Sequence, residues 1–275
     1  MYRNKILDDI WIDLSFFKDI TTSSSVNLAR TNLLQDAYII WEEANKTILE
    51  SSGNKEKLNQ GFLSLKRAFN VASIELKKNT GIDEIQYSGK NKRDFFSVLE
   101  YFDIVKTLSL KSYLDIRNLI EHQNAEPPSI EKSLLLSEYI WNYIRNVSNV
   151  LNNFIDNFYF QSDEGKADFS YSVIKKKEKF IPKLNVTMCI NKKNISFIEI
   201  PNSLKVNKFQ IITKSRQKGV DGIISADLDY YRNSLQHVVF IGEIDNPDII
   251  VKYIKYMVLP EHEGINEKTI YEIFK

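Results

Sequence analysis

The 275-residue chain has one cysteine, nine glycines and six prolines. A single cysteine, Cys189, excludes a disulfide-stapled scaffold and any zinc site built on cysteine pairs. The few glycines form no phosphate-cradling motif, which excludes a loop of the P-loop or dinucleotide type. No serine stands in a Gly-x-Ser-x-Gly elbow, so that class of hydrolase is excluded too. The three histidines, His122, His237 and His262, have no His–His spacing suited to zinc. No 18-residue stretch lacks charge, so no membrane span is expected. The first residues carry Asp8, Asp9 and Asp13 where a signal peptide has an apolar run, which predicts a cytoplasmic protein. Charge of one sign is also missing: 37 basic and 36 acidic side chains leave a formal charge of +1. Net charge therefore announces no nucleic-acid partner, although a local patch can still steer one.

What the chain does have is apolar and aromatic mass. Hydrophobic residues make up 43% and aromatics 12%, enough to exclude a disordered chain. Before about residue 160 the apolar residues recur at helical spacing. Leu33, Ala37, Trp41, Ala44 and Ile48 form one stripe, with Gly53 beyond its end. Leu58, Phe62, Leu65, Phe69, Ala72 and Leu76 form a second, with Gly81 after it. A third helix spans about Asp94 to His122, with a break near Thr107–Ser109. A fourth begins after Pro127-Pro128 with Ser129 as N-cap and carries Leu134, Trp141, Ile144, Val147, Leu151, Phe154 and Phe158.

After Gly165 the period becomes two. Lys183–Ile190 and Ser196–Ile200 alternate around turn residues Asn191–Asn194, which predicts a hairpin. Lys208–Thr213 and His237–Glu243 are further strands, and Asp221-Gly222 is a turn. Asn246-Pro247-Asp248 opens a last helix. The expected fold is α+β: an antiparallel four-helix bundle followed by a small β-rich domain with a C-terminal helix. The expected division is a lead-in over 1–25, a helical domain over 26–160 and a β-rich domain of unassigned role over 167–275. In the lead-in, Trp11, Leu14, Phe16 and Phe17 are expected to pack on the bundle, and Thr21–Ser25 to form a polar linker.

The chemistry-bearing segment is Tyr113–His122. Asn118 and His122 lie four apart on one helix face, and Arg117 and Glu121 lie four apart on the next. Arg117 and His122 are five apart, about 140° round a helix, so they converge only if the helix end unwinds or a second copy contributes. Arg with His and no carboxylate cluster suits metal-free RNA cleavage. A neutral His takes the 2′-OH proton, a protonated His supplies the leaving oxygen, and Arg holds the phosphate in a bidentate fork. The same residues have a plainer reading. His122 then caps the helix C-terminus, and Arg117–Glu121 is a surface ion pair.

The run Ile116–His122, followed by Pro127-Pro128 and a helix containing Glu138-Tyr139-Ile140-Trp141, resembles the HEPN superfamily. That family's signature is Arg, four to six residues, then His, often with a polar residue directly after the Arg; Arg117, Asn118 and His122 match it. The helix containing Leu65-Lys66-Arg67-Ala68-Phe69-Asn70 looks like the corresponding helix of bacterial members. The resemblance covers residues 26–160. It implies a homodimer through the motif helices and a metal-independent endoribonuclease that needs no cofactor and leaves a 2′,3′-cyclic phosphate. It assigns Arg117, Asn118 and His122 to catalysis, with Glu121 and Lys111 expected to bind the RNA substrate. A role as a toxin or phage-defence effector, with an antitoxin or defence partner, is also implied. Some relatives are non-catalytic RNA-binding or protein-interaction modules. Elsewhere, Asp227 and Asp229 are alternate acids in an aromatic-flanked stretch, read as a loop rather than a metal site. Lys175–Lys179 is read as a phosphate-backbone contact or a solvated strand edge, and Cys189 as a small core residue.

Overall fold

The computed structural model describes residues 9–17, 21–26, 32–85, 94–106, 108–123, 125–211, 237–258 and 272–274. Five of the described helices lie before residue 154: α1 (Gln35–Leu49), α2 (Lys55–Thr80), α3 (Phe95–Tyr101), α4 (Leu108–Gln123) and α5 (Ile130–Asn153). Their ends follow local chemistry. The Asn54 side chain accepts from the backbone N–H groups of Glu56 and Lys57, both at 3.0 Å, and starts α2. Gly81 ends it in the left-handed region at φ +62°, a conformation glycine takes without a Cβ clash. Asp94 caps α3 and Ser129 caps α5 by the same kind of contact. The expected third helix is thus two, separated by a turn in which Asp103 sits at φ +52°.

The strands are β1 (Asp9–Asp13), β2 (Thr21–Val26), β3 (Ile155–Ser162), β4 (Gly165–Lys176), β5 (Lys179–Asn191), β6 (Ile195–Ser196), β7 (Ser203–Ile211) and β8 (His237–Ile244). They form one antiparallel sheet in the order β2-β3-β4-β5-β8-β7-β1-β6. A last helix, α6 (Pro247–Val258), follows β8, with the Asn246 side chain accepting from Asp248 N–H at 2.9 Å.

This overturns the expected fold of a four-helix bundle with a small β domain. The sheet is large, and it recruits strands from the N-terminal segment. Asp9–Asp13 pairs with β7 and β6, and Thr21–Val26 pairs with β3 instead of forming a linker. Phe16 and Phe17 pack on the sheet side, Phe17 lying 5.7 Å from both Phe160 and Phe274. The fourth helix stops at Asn153, so Phe158 belongs to a strand. Phe154 and Phe158 fit helical spacing, but Phe158 and Phe160 fit a strand equally well, and period alone does not separate the two. The expected hairpin of Lys183–Ile190 with Ser196–Ile200 also fails: β6 pairs with β1. The turn Asp221-Gly222, the acids Asp227 and Asp229, and His262 lie outside the described residues.

One face of the sheet is buried. Phe169, Val186 and Gly242 stand opposite one another across β4, β5 and β8, with Ala167, Met188 and Phe240 in the next row. Phe158 stacks on Phe169 at 4.8 Å and on Tyr253 of α6 at 5.5 Å. The helices join the same core. Tyr171 donates its hydroxyl to the Thr80 carbonyl at the end of α2, at 2.5 Å, and Phe154 packs 5.2 Å from the Tyr171 ring. Within the helical layer, Trp41 Nε1 donates to the Ser137 carbonyl at 2.9 Å, and Tyr143 hydrogen-bonds Ser73 at 2.8 Å.

Gly61 sets the approach of α1 to α2. A Cβ at this position would lie 2.8 Å from Ile48 Cγ1 and 3.0 Å from the Ala44 carbonyl oxygen. In an exposed helix, Gly→Ala gains about 1 kcal/mol. Here Gly61→Ala is expected to lose about 1–3 kcal/mol, because the added methyl meets backbone. Urea unfolding measures it, and a stabilised variant would contradict this packing of α1 on α2.

Candidate active site

Helix α4 carries every residue singled out for chemistry, and its two faces differ. Leu110, Tyr113 and Ile120 form the inner stripe and are buried. Arg117 falls on that stripe, four residues from Tyr113 and three from Ile120, and its side chain is only 13% exposed. The guanidinium pairs with the Glu121 carboxylate, and one terminal N–H donates to Asn118 Oδ1 at 3.0 Å. Its Nε is buried without an acceptor among the described residues. One turn earlier, Tyr113 donates its hydroxyl to the Phe62 carbonyl of α2 at 3.0 Å. Burial pushes the Tyr113 phenol well above its ordinary range, against the pull of the Arg117 charge.

The outer face runs Lys111, Asp115, Asn118 and His122 at steps of four, three and four. Asp115, Asn118 and His122 are exposed. His122 has no hydrogen bond or ion pair among the described residues. Leu108 and Leu119 on α4 are 81% and 44% exposed, and Leu135 on α5 is 50% exposed. Polar catalytic candidates thus share a surface with apolar side chains that lack a covering element among the described residues.

The structure separates what the sequence left open. Helix α4 remains regular through Gln123, and Ala125 N–H donates to the Leu119 carbonyl at 3.3 Å, a 6→1 closure of the helix end. The end does not unwind at His122, so Arg117 and His122 keep their separation of about 140° round the helix. Arg117 and Asn118 are brought together, with Glu121 on the far side of the guanidinium. Lys111 stands apart. Its ammonium lies 5.9 Å over the Phe96 ring, and its charge helps to hold the Asp94 carboxyl below the usual range, after the larger effect of hydrogen bonds from Ser97. It is about 16 Å along the axis from His122, at 1.5 Å per residue.

Two features of this surface were not picked out from sequence. Asp115 lies between Lys111 and His122 on the outer face; stepping from His122 by seven residues finds it. Nothing in the spacing of Leu108 and Leu119 tells them from core leucines, and only the packing shows them facing outward. Among the described residues no group of three metal-ligating side chains converges, and no helix is long and apolar enough to cross a membrane. No family model, curated protein or solved structure matches the chain.

The Arg117–Glu121 pair is testable in itself. Both side chains are less than a third exposed. Glu121→Gln leaves a mostly buried guanidinium without its counter-charge and is expected to cost about 1–3 kcal/mol. Asp115→Asn, on the outer face, is expected to change stability by less than about 0.5 kcal/mol. Thermal midpoints of the two variants check this; equal midpoints would make the pair an ordinary surface contact.

Proposed function

We propose that the chain is a metal-independent endoribonuclease of HEPN type, acting as a homodimer through α4 and α5. The observation that carries the reading is the outer face of α4. Asn118 and His122 stand exposed on it, Arg117 is tied to Asn118 beside them, and exposed Leu108 and Leu119 flank the group. A second copy placed on this face brings two histidines to one RNA strand. Neutral His122 takes the proton from a ribose 2′-OH, and the 2′-oxygen attacks the adjacent phosphorus. The bond from phosphorus to the 5′-oxygen breaks, and the partner subunit's His122, protonated, supplies the proton to that oxygen. The products are a 2′,3′-cyclic phosphate and a 5′-hydroxyl. Charge growing on the phosphoryl oxygens is met by Arg117 and by the Asn118 amide. Glu121 positions Arg117 rather than touching RNA. Lys111, six residues before Arg117, serves the flanking backbone as a point charge. Such an activity fits a cytoplasmic toxin or phage-defence effector held by an antitoxin or a defence partner.

A second reading has its own support. Arg117 is mostly buried and spends part of its fork on Glu121 and Asn118. That is how a structural arginine in a non-catalytic interaction module is held. The two readings part on one experiment. Wild-type protein incubated with total RNA in excess EDTA is expected to cut it. His122→Ala is expected to be slower by about 10²–10⁴-fold while keeping its fold and dimeric state. Arg117→Lys is expected to be severely slowed as well, because the bidentate fork is lost although the charge is kept. Cleavage that appears only with added divalent metal, or a His122→Ala variant as fast as wild type, would overturn the nuclease assignment.

The dimer is a separate expectation. Light scattering at micromolar concentration is expected to give twice the chain mass, and Leu119→Glu to give the monomer, by placing a charge in a self-complementary apolar contact. A fully active monomer would contradict the shared site.

A further inference from the structure

A cleft of about 430 Å³ opens at the end of the sheet remote in sequence from α4. It lies between the start of β5, the end of β8, Lys208 of β7, the first turn of α6 and the residues after α2. Its size is within the roughly 300–1,000 Å³ of small-molecule sites. The floor is apolar, formed by Ile85, Pro182, Leu184, Ile244 and Ile250. Three lysines, Lys179, Lys183 and Lys208, stand round it.

These ammonium groups are held in place. Glu243 receives Lys183 at 2.8 Å and Lys208 at 2.9 Å, and the two contacts keep its carboxyl below the usual range. Glu84 receives Lys179 at 2.8 Å. An ammonium has three donors, so each lysine keeps two beyond these contacts. Across the whole lining Lys179, Lys183 and Lys208 are balanced by Glu84, Glu243 and Asp245, so the lysines act as local donors and not through an excess of positive charge.

The backbone supports a built site. Lys208 sits at φ +48°, in the left-handed region that a long side chain rarely adopts, and the β7–β8 register shifts between Asn207 and Gln210. A bulge of this kind re-aims a side chain, and its strain persists where the surroundings over-determine it. Here it turns the Lys208 ammonium to Glu243. Asp245, also on the rim, offers an acceptor on the same wall, and its charge acts on Lys208 from there, after the larger effect of Glu243.

From these parts we infer that the cleft binds a nucleoside phosphate. The lysines take the phosphates, the isoleucine-lined floor takes the planar base, and Asp245 accepts from an amino or hydroxyl group of the base or sugar. This site is independent of the α4 reading and shares no residue with it.

The test is calorimetric titration of the full chain with ATP, GTP, CTP and UTP, then with adenosine and inorganic tripolyphosphate. At least one nucleotide is expected to bind with saturation below about 5 mM and to raise the thermal midpoint. Lys208→Ala and Lys183→Met are each expected to weaken that nucleotide by about tenfold or more, the worth of one charge-assisted hydrogen bond. Lys193→Ala, an exposed lysine paired with Glu164, serves as the control and is expected to bind as wild type. Tripolyphosphate is expected to bind at least about tenfold more weakly than the nucleotide, since it leaves the floor empty. His122→Ala is expected to keep full nucleotide affinity, so loss of RNA cleavage and loss of this site are read separately. No binding by any of the four nucleotides would overturn the inference. Affinity unchanged in both cleft variants would do the same. Tripolyphosphate binding as tightly as the nucleotide would reduce the cleft to a bare anion site and overturn the nucleoside assignment.

Discussion

Only Phe154 separates the last residue of α5 from the first of β3, and that junction ties the helices to the sheet. Two buried tyrosines fasten it. Tyr171 of β4 reaches the Thr80 carbonyl at the end of α2, and Tyr253 of α6 reaches the Ile155 carbonyl at 2.7 Å. Each hydroxyl satisfies a chain carbonyl that would otherwise be stranded in the core, at a cost of about 1–3 kcal/mol. The rings fill the space between, stacked on one another at 5.2 Å. A helical layer fixed at the ends of α2 and α5 has no latitude to behave as a separate bundle, and the hydrophobic core runs without a break from Leu58 to Phe240.

Helix α4 buries one face in that core and keeps the other out of it. It touches α2 through Tyr113 and buries Leu110 and Ile120, while Leu119 and His122 on its other face are exposed among the described residues. Arg117 stands at the boundary of the two faces. Glu121 neutralises it, its terminal N–H donates to Asn118, and its Nε has no acceptor among the described residues. An active site and a protein interface ask the same of such a helix: exposed polar groups set in apolar surroundings. The chemistry of His122 decides between them.

Much of the helical layer was legible in the sequence because its signals are local. Gly81 and Ser129 act within one turn of the chain, and the stripe from Leu58 to Leu76 repeats at one period. The sheet was legible only where alternation is strict, as in Lys183–Ile190 and His237–Glu243. It was hidden in Thr21–Val26, whose hydroxyl residues give no apolar period, and in Phe154–Phe160, where two periods coincide. Pairing of Asp9–Asp13 with Ser203–Asn207 spans nearly the whole chain and has no local signature. At the site, residue identities and spacing were legible, whereas the inward turn of Arg117 depends on how α4 lies against α2. The lysines of the cleft come together only through strand pairing, so nothing in their spacing joins Lys183 to Lys208.

The most direct measurement compares one RNA with its 2′-O-methyl copy, both incubated with the wild-type dimer in EDTA. The attacking group in the proposed reaction is the 2′-oxygen, so the unmodified RNA is expected to be cut, leaving 2′,3′-cyclic phosphate ends, and the methylated copy to stay intact. Equal cleavage of both strands, or recovery of the unmodified RNA at full length with the protein in excess, would contradict the assignment of Arg117, Asn118 and His122 to RNA chemistry.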